Sequence, residues 1–159
     1  PPYLHGRLWA DDPADRGRPA PFSVVIDDPP VESLSEQYPL RLTTGRRLDS
    51  YNTGVQSGGY SSPNRLGETL DLSPEDAQQL GISNGEQVRI SSARGMVEAP
   101  ARIDQGLRPG LVFMTFHFPD EVDVNQLTID ATDPKSGTAE FKAAAVRIDK
   151  LVEVGTQWI

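Results

Sequence analysis

The chain contains no cysteine, which excludes disulfides, thiolate zinc sites, iron-sulfur ligation and thiol nucleophiles from it. Any redox chemistry it serves must run on borrowed atoms. Histidine is scarce as well: His5 and His117 stand alone, without the Glu or Cys spacing of a metal site, and no metal ligand is assigned. The zinc-protease motif His-Glu-x-x-His and the dinucleotide glycine fingerprint are missing, so a self-contained enzyme is poorly supported and no catalytic residue is assigned. Bases are outnumbered, 15 against 23 acids for a net charge of -8, the wrong sign for a protein that neutralises a nucleic-acid backbone. No apolar run approaches the roughly 18 residues of a membrane span, and no basic segment precedes an apolar one. Membrane insertion is not expected; the cytoplasm is the expected compartment.

What the chain does contain suits one domain of 159 residues. Apolar residues make up 36%, and the 14 glycines raise that share to about 45%, the ordinary globular fraction. A start at Pro1-Pro2 without an initiator Met reads as a piece of a longer protein with partners in cis. Seven of the 14 prolines and seven acids fall in residues 1–37, against three bases. This lead-in is expected to be an extended strap, with Leu4, Leu8, Trp9 and the run Phe22–Ile26 able to dock on a surface; a mobile tail is the alternative.

Residues 38–159 read as the domain proper. Leu40 and Leu42 alternate in a strand that ends at Gly45, and Glu68–Leu72 is a second short strand. Ser73-Pro74-Glu75-Asp76 starts a helix, with Ser as N-cap and Pro in the first turn, and Gly81 ends it. Asn84-Gly85 turns the chain into a strand over 86–91. Val97, Ala99, Ala101 and Ile103 form one face of the next strand, and Leu111–Thr115 and Ala144–Leu151 supply the last two. Long polar loops over 45–67 and about 116–137 follow two of these strands. About six short strands, one or two short helices and two long loops imply a small, mainly β barrel whose loops are expected to meet at one rim.

Thr43-Thr44-Gly45-Arg46-Arg47 joins hydroxyls, a glycine and two guanidinium forks at a strand end, a combination suited to capturing phosphate. The alternative is a turn with two solvated arginines. Ser50-Tyr51-Asn52-Thr53 adds hydrogen-bonding side chains and an aromatic face that could hold a polar heterocycle. His117, in Phe116-His117-Phe118-Pro119, reads as a wet residue between aromatics at a strand end, with a structural histidine the commoner role for such a residue on its own, and Asp120, Glu121 and Asp123 read as hydrated loop acids. The residues by themselves point to an anionic, nucleotide-like ligand gripped by the long loops.

Four blocks carry a family likeness. They are Tyr-Pro-Leu-x-Leu-Thr-Thr-Gly-Arg at 38–46; Asp76-Ala77-x-x-Leu80-Gly81-Ile82 with Asn84-Gly85-Glu86-x-Val88; Met114-x-Phe116-His117-Phe118 with Asn125-x-Leu127-Thr128; and Glu140-Phe141-Lys142-Ala143-Ala144-Ala145-Val146-Arg147-Ile148. Their order and spacing resemble the C-terminal, dinucleotide-binding domain of molybdopterin oxidoreductases, especially the formate dehydrogenase branch. The resemblance implies a six-stranded double-psi β-barrel that holds bis-molybdopterin guanine dinucleotide. The Mo or W atom, its Cys or Sec ligand and any iron-sulfur cluster would then belong to preceding catalytic domains of the same polypeptide. By position, Thr44, Gly45, Arg46 and Arg47 are expected around a cofactor phosphate and pterin. Leu48, Ser50, Tyr51, Asn52 and Thr53 continue that contact loop, Phe116, His117 and Asn125 form the second, and Phe141 and Lys142 make the last approach. The implied reaction is oxidation of formate to carbon dioxide, with this segment supplying binding and orientation. The alternative is a double-psi barrel that binds protein without a cofactor, which would have no use for Arg46 or the 45–67 loop. A self-cleaving pyruvoyl decarboxylase shares the barrel but needs a Gly-Ser bond, and no Gly here precedes Ser.

Overall fold

The structure, a computed structural model, describes residues 22–47 and 67–151. Its elements are β1 (Leu40–Gly45), β2 (Leu70–Leu72), helix α1 (Pro74–Leu80), β3 (Gln87–Ser91), β4 (Met96–Ile103), β5 (Leu111–Thr115), a 3-10 turn (Val124–Leu127) and β6 (Ala144–Lys150). The helix begins and ends where its capping chemistry dictates. Ser73 sits in extended backbone and its Oγ accepts the Asp76 N–H at 3.0 Å. Gly81 takes the left-handed conformation at φ 66°, and its N–H closes on the last helical carbonyls.

The six strands close into a barrel in the order β1-β5-β2-β4-β3-β6, the double-psi arrangement. Two pairs are parallel, β1 with β5 and β2 with β4; the other four are antiparallel. Strand alternation decides what fills the interior. Leu42, Leu70, Leu72, Val88, Ile90, Val112, Met114 and Val146 are completely buried, and β4 contributes Val97, Ala99 and Ala101. The small alanines let facing leucines and valines meet without overfilling a narrow barrel. Each buried branched side chain stabilises the fold by about 1.5–3 kcal/mol. The 3-10 turn tucks Val124 and Leu127 into the same core, so part of the second long loop is structural. Among the described residues, no helix is long and apolar enough to cross a membrane.

The apolar run of the lead-in does not pack on the described barrel. Phe22, Val24, Val25 and Ile26 are exposed; Leu4, Leu8 and Trp9 lie outside the described residues. The tethers come later. The Val31 N–H donates to Glu140 at 3.3 Å, and Glu32 receives Arg94 through two guanidinium nitrogens at 2.6 and 2.9 Å and the Ala145 N–H at 2.7 Å. Arg94 also donates to the Leu127 carbonyl at 2.8 Å. A single carboxylate thus joins the lead-in to the β3–β4 turn and the start of β6.

Burial alone would push the Glu32 carboxyl up, but the Arg94 hydrogen bonds, the Ala145 N–H and the charges of Arg94 and Arg41 outweigh it and hold the group below the usual glutamate range. A carboxyl that ionises more readily when folded than unfolded contributes fully above the ordinary glutamate range, and the contribution fades as pH falls through the lowered folded-state value. Glu32→Gln should therefore cost up to about 1.5–3 kcal/mol near neutrality, the range for hydrogen bonds to a charged group, reduced by the one acceptor oxygen that Gln keeps. Urea midpoints of the two proteins should draw together in acid; a gap that stays constant would reject the ionic tether.

Candidate functional site

The registers bring the expected contact segments to one rim. β1 and β5 run parallel with Gly45 opposite Thr115, so the chain leaves both strands side by side. β6 is antiparallel to β1 with Ala144 opposite Leu42, which directs the preceding Phe141 and Lys142 to the same end. β2 is antiparallel to β5 with Asp71 opposite Phe113, so Gly67–Thr69 start from that end too. The first long loop begins and finishes at one edge.

Hydrogen bonds stitch the segments together there. Thr44 is buried; its Oγ1 donates to the Phe141 carbonyl at 2.7 Å, and its own carbonyl accepts from Lys142 Nζ at 2.6 Å. The Lys142 amine also lies 5.0 Å from the centroid of the Phe141 ring. Phe116 meets His117 at 5.3 Å between ring centroids and Phe141 edge-on at 6.5 Å. His117 is not the wet residue its neighbours suggested: it is completely buried, and its Nε2 accepts the Arg47 N–H at 2.9 Å. An acceptor at Nε2 places the ring proton of the neutral imidazole on Nδ1. Burial is tolerable because the polar ring has found a backbone partner.

The two arginines, read from sequence as a pair, have separate environments. Arg46 is exposed. Arg47 is nearly covered, with 12% of its side chain exposed. Its guanidinium donates to the Gly67 carbonyl at 3.2 Å, to Thr69 Oγ1, and to both oxygens of Asp71 at 3.1 and 3.2 Å. At Gly45 the Phe113 ring occupies the space where a Cβ would stand. Asn125 keeps to its own turn in the contacts described: its N–H donates to Asp123 at 3.1 Å and its carbonyl accepts from Thr128. Asp123, read as a hydrated acid, is that turn's cap. Leu48, Ser50, Tyr51, Asn52 and Thr53 lie outside the described residues.

Several residues beneath the rim escaped the sequence reading. Asp71, 2% exposed, also accepts from Arg102 Nε at 2.9 Å and from Arg102 Nη2. Buried Glu68 accepts the Thr115 N–H at 3.0 Å, the Thr115 hydroxyl and the Thr69 N–H at 3.1 Å. The available signal was a charge between Leu70 and Leu72 in so short a strand; its cross-strand partner could not be read from spacing. Conversely, Gly81-Ile82-Ser83-Asn84-Gly85 has the spacing of a hydrolase nucleophile turn but leads from a helix into a strand, the reverse of the geometry that exposes such a serine. Ser83 is exposed and its backbone pairs with Glu86.

A family model described as Molydopterin (molybdopterin) dinucleotide binding domain matches residues 40–145, the span from β1 to the start of β6. The chain belongs to the molybdopterin dinucleotide-binding domain family. Domains of this kind are cofactor-holding parts of molybdenum and tungsten oxidoreductases. The chain is 45% identical over 132 residues to an F420-dependent formate dehydrogenase 2 subunit alpha from Methanococcus maripaludis, covering 82% of this chain and 19% of that protein. It is 33% identical over 147 residues to the assimilatory nitrate reductase catalytic subunit of Bacillus subtilis, covering 90% of this chain and 21% of that one. The chain thus spans about a fifth of these relatives' length. The acetylene hydratase structure from Pelobacter acetylenicus shares the fold at a TM-score of 0.63 and 19% identity, over 73% of this chain and 19% of that one.

The rim of this molybdopterin dinucleotide-binding domain suits an anionic, acceptor-rich group. Its two buried carboxylates already receive several donors each, whereas Arg47 Nε is buried with no acceptor among the described residues. A buried donor left unmade costs about 1–3 kcal/mol, and an acceptor on the cofactor would remove that cost. Although the chain as a whole is acidic, Arg46, Arg47 and Lys142 gather at this edge.

Proposed function

We propose that this domain serves a formate-oxidising enzyme and holds the guanine dinucleotide end of bis-molybdopterin along the rim where β1, β5 and β6 converge. The observation that carries the reading is the joining of all three described contact segments at one edge: Thr44 to Phe141 and Lys142, and Arg47 to His117. In this reading the exposed Arg46 and Lys142 supply charge to a phosphate, Arg47 offers Nε, and Phe116 and Phe141 wall the site with apolar surface. The 48–53 segment and Asn125 complete the contact set. Bound in the assembled enzyme, the cofactor supplies the Mo or W centre for two-electron oxidation of formate to carbon dioxide.

Formate is favoured because the 45% relative is named a formate dehydrogenase subunit. The catalytic domains proposed to precede this one would hold the metal ligand, and the cytoplasm is the proposed compartment. Arg46→Ala in the parent enzyme should lower metal and guanine content per chain by at least about half, the consequence of losing one charge-assisted contact. Wild-type content of both would reject the role given to Arg46.

A further inference from the structure

The short segment Glu68–Asp71 touches both sides of the rim from below. Glu68 accepts from the N–H and hydroxyl of Thr115, the last residue of β5, and the same hydroxyl receives the His117 N–H at 3.3 Å. The exit of β5 is therefore held by one buried carboxylate. Asp71 binds Arg47 through both its oxygens and is braced from the other side by Arg102, its register partner on β4. Thr69 lies between, donating to Asp71 Oδ1 at 2.6 Å while accepting from the Arg47 guanidinium. The exit of β1 is held by the second carboxylate. The Arg47 N–H to His117 Nε2 bond then connects the two exits.

We infer that Glu68 and Asp71 are positioning residues that fix the separation of the two contact loops, Glu68 through Thr115 and His117, Asp71 through Arg47. They contact no ligand in this account; they decide where the groups that do will stand. The inference deepens the cofactor reading, on which it rests for calling the rim a binding edge, but the geometry it asserts can be tested without any cofactor. Asp71 lies between two guanidinium groups, so losing its charge weakens the hold on both: Arg47 keeps the Gly67 carbonyl and the Thr69 hydroxyl but loses its ionic partner, and Arg102 loses its buried carboxylate. Thr69→Val is the milder cut, since it removes only the bridging hydroxyl.

Amide hydrogen exchange and imidazole 15N shifts should be recorded on the full 159-residue chain with Asp71→Asn, Glu68→Gln and Thr69→Val. A positioning role requires protection of the Arg47 N–H to fall at least about tenfold further than that of Val88 and Ile90 in the barrel wall, with a shift at His117 Nε2. Equal losses at Arg47 and in the wall would make these carboxylates general stabilisers and overturn the inference, as would Arg47 protection within about twofold of wild type. If Asp71→Asn does not fold, Thr69→Val decides by the same criterion. In the parent enzyme, released guanosine monophosphate per chain should drop in both Asp71→Asn and Arg46→Ala. Loss in Arg46→Ala alone rejects the positioning role and keeps the cofactor at this rim; wild-type content in both rejects the placement of the cofactor along this rim.

Discussion

Truncating His117 to alanine should lower the stability of the barrel by about 3–5 kcal/mol, as for other large buried rings. The side chain is completely buried between Phe116 and Phe118, with ring centroids 5.3 and 6.1 Å away, so its removal leaves a cavity. It also takes away the acceptor of the Arg47 N–H, part of the loss being the cost of an unpaired backbone donor, about 1–3 kcal/mol. His117→Gln separates the two contributions, because an amide oxygen can take the place of Nε2. Denaturant midpoints should rank wild type above Gln above Ala. Equal losses for the two variants would mean that the acceptor is unimportant, and a loss below about 1 kcal/mol for alanine would contradict a packed, buried ring.

Gly45→Ala should cost about 1–3 kcal/mol, the range for one extra carbon forced against a neighbour, and toward the lower end where the half-buried Phe113 ring can swing aside. A Cβ there would stand 2.8 Å from Phe113 Cε2 and 3.2 Å from Cζ. Gly45 is not among the left-handed glycines, so room is the constraint. Phe113 stands on β5 with Thr43 of β1 and Asp71 of β2 as its register partners. The thermal midpoint should fall by about 2–4 °C per kcal/mol for a chain of this size, and the amide signals of Arg46 and Arg47 should shift with it. Phe113→Leu in the same background should recover most of the stability. Failure to recover any would place the strain elsewhere in the turn.

Local rules settled much of this architecture. Ser73, Pro74 and Gly81 bound the helix because a cap accepts the N–H groups left at its start and a left-handed residue closes its end. The alternation of Val97, Ala99 and Ala101 identified the inner face of β4, since successive strand residues point to opposite sides. The blocks around Thr44-Gly45-Arg46, His117 and Phe141-Lys142 were sufficient to place the chain in its family. Local rules misread the surroundings of individual side chains. His117 among phenylalanines gave no sign that a backbone N–H some 70 positions earlier would satisfy it in the interior. Arg46 and Arg47 are neighbours in sequence with the same charge, yet one is exposed and the other is held by Asp71.

The sequence by itself determined a cysteine-free, acidic chain of short strands and a capped helix, and its long polar loops bearing arginines pointed to an anion. Only the tertiary structure decided that those loops leave from one edge, because two distant strands pair in parallel with their ends in register. It alone assigned Glu68, Asp71 and Arg102 to the support of that edge. Capping and alternation are contacts between residues a few positions apart and can be read from order. The partners of a buried charge are chosen by strand pairing across the barrel, and that choice exists only once the chain has closed.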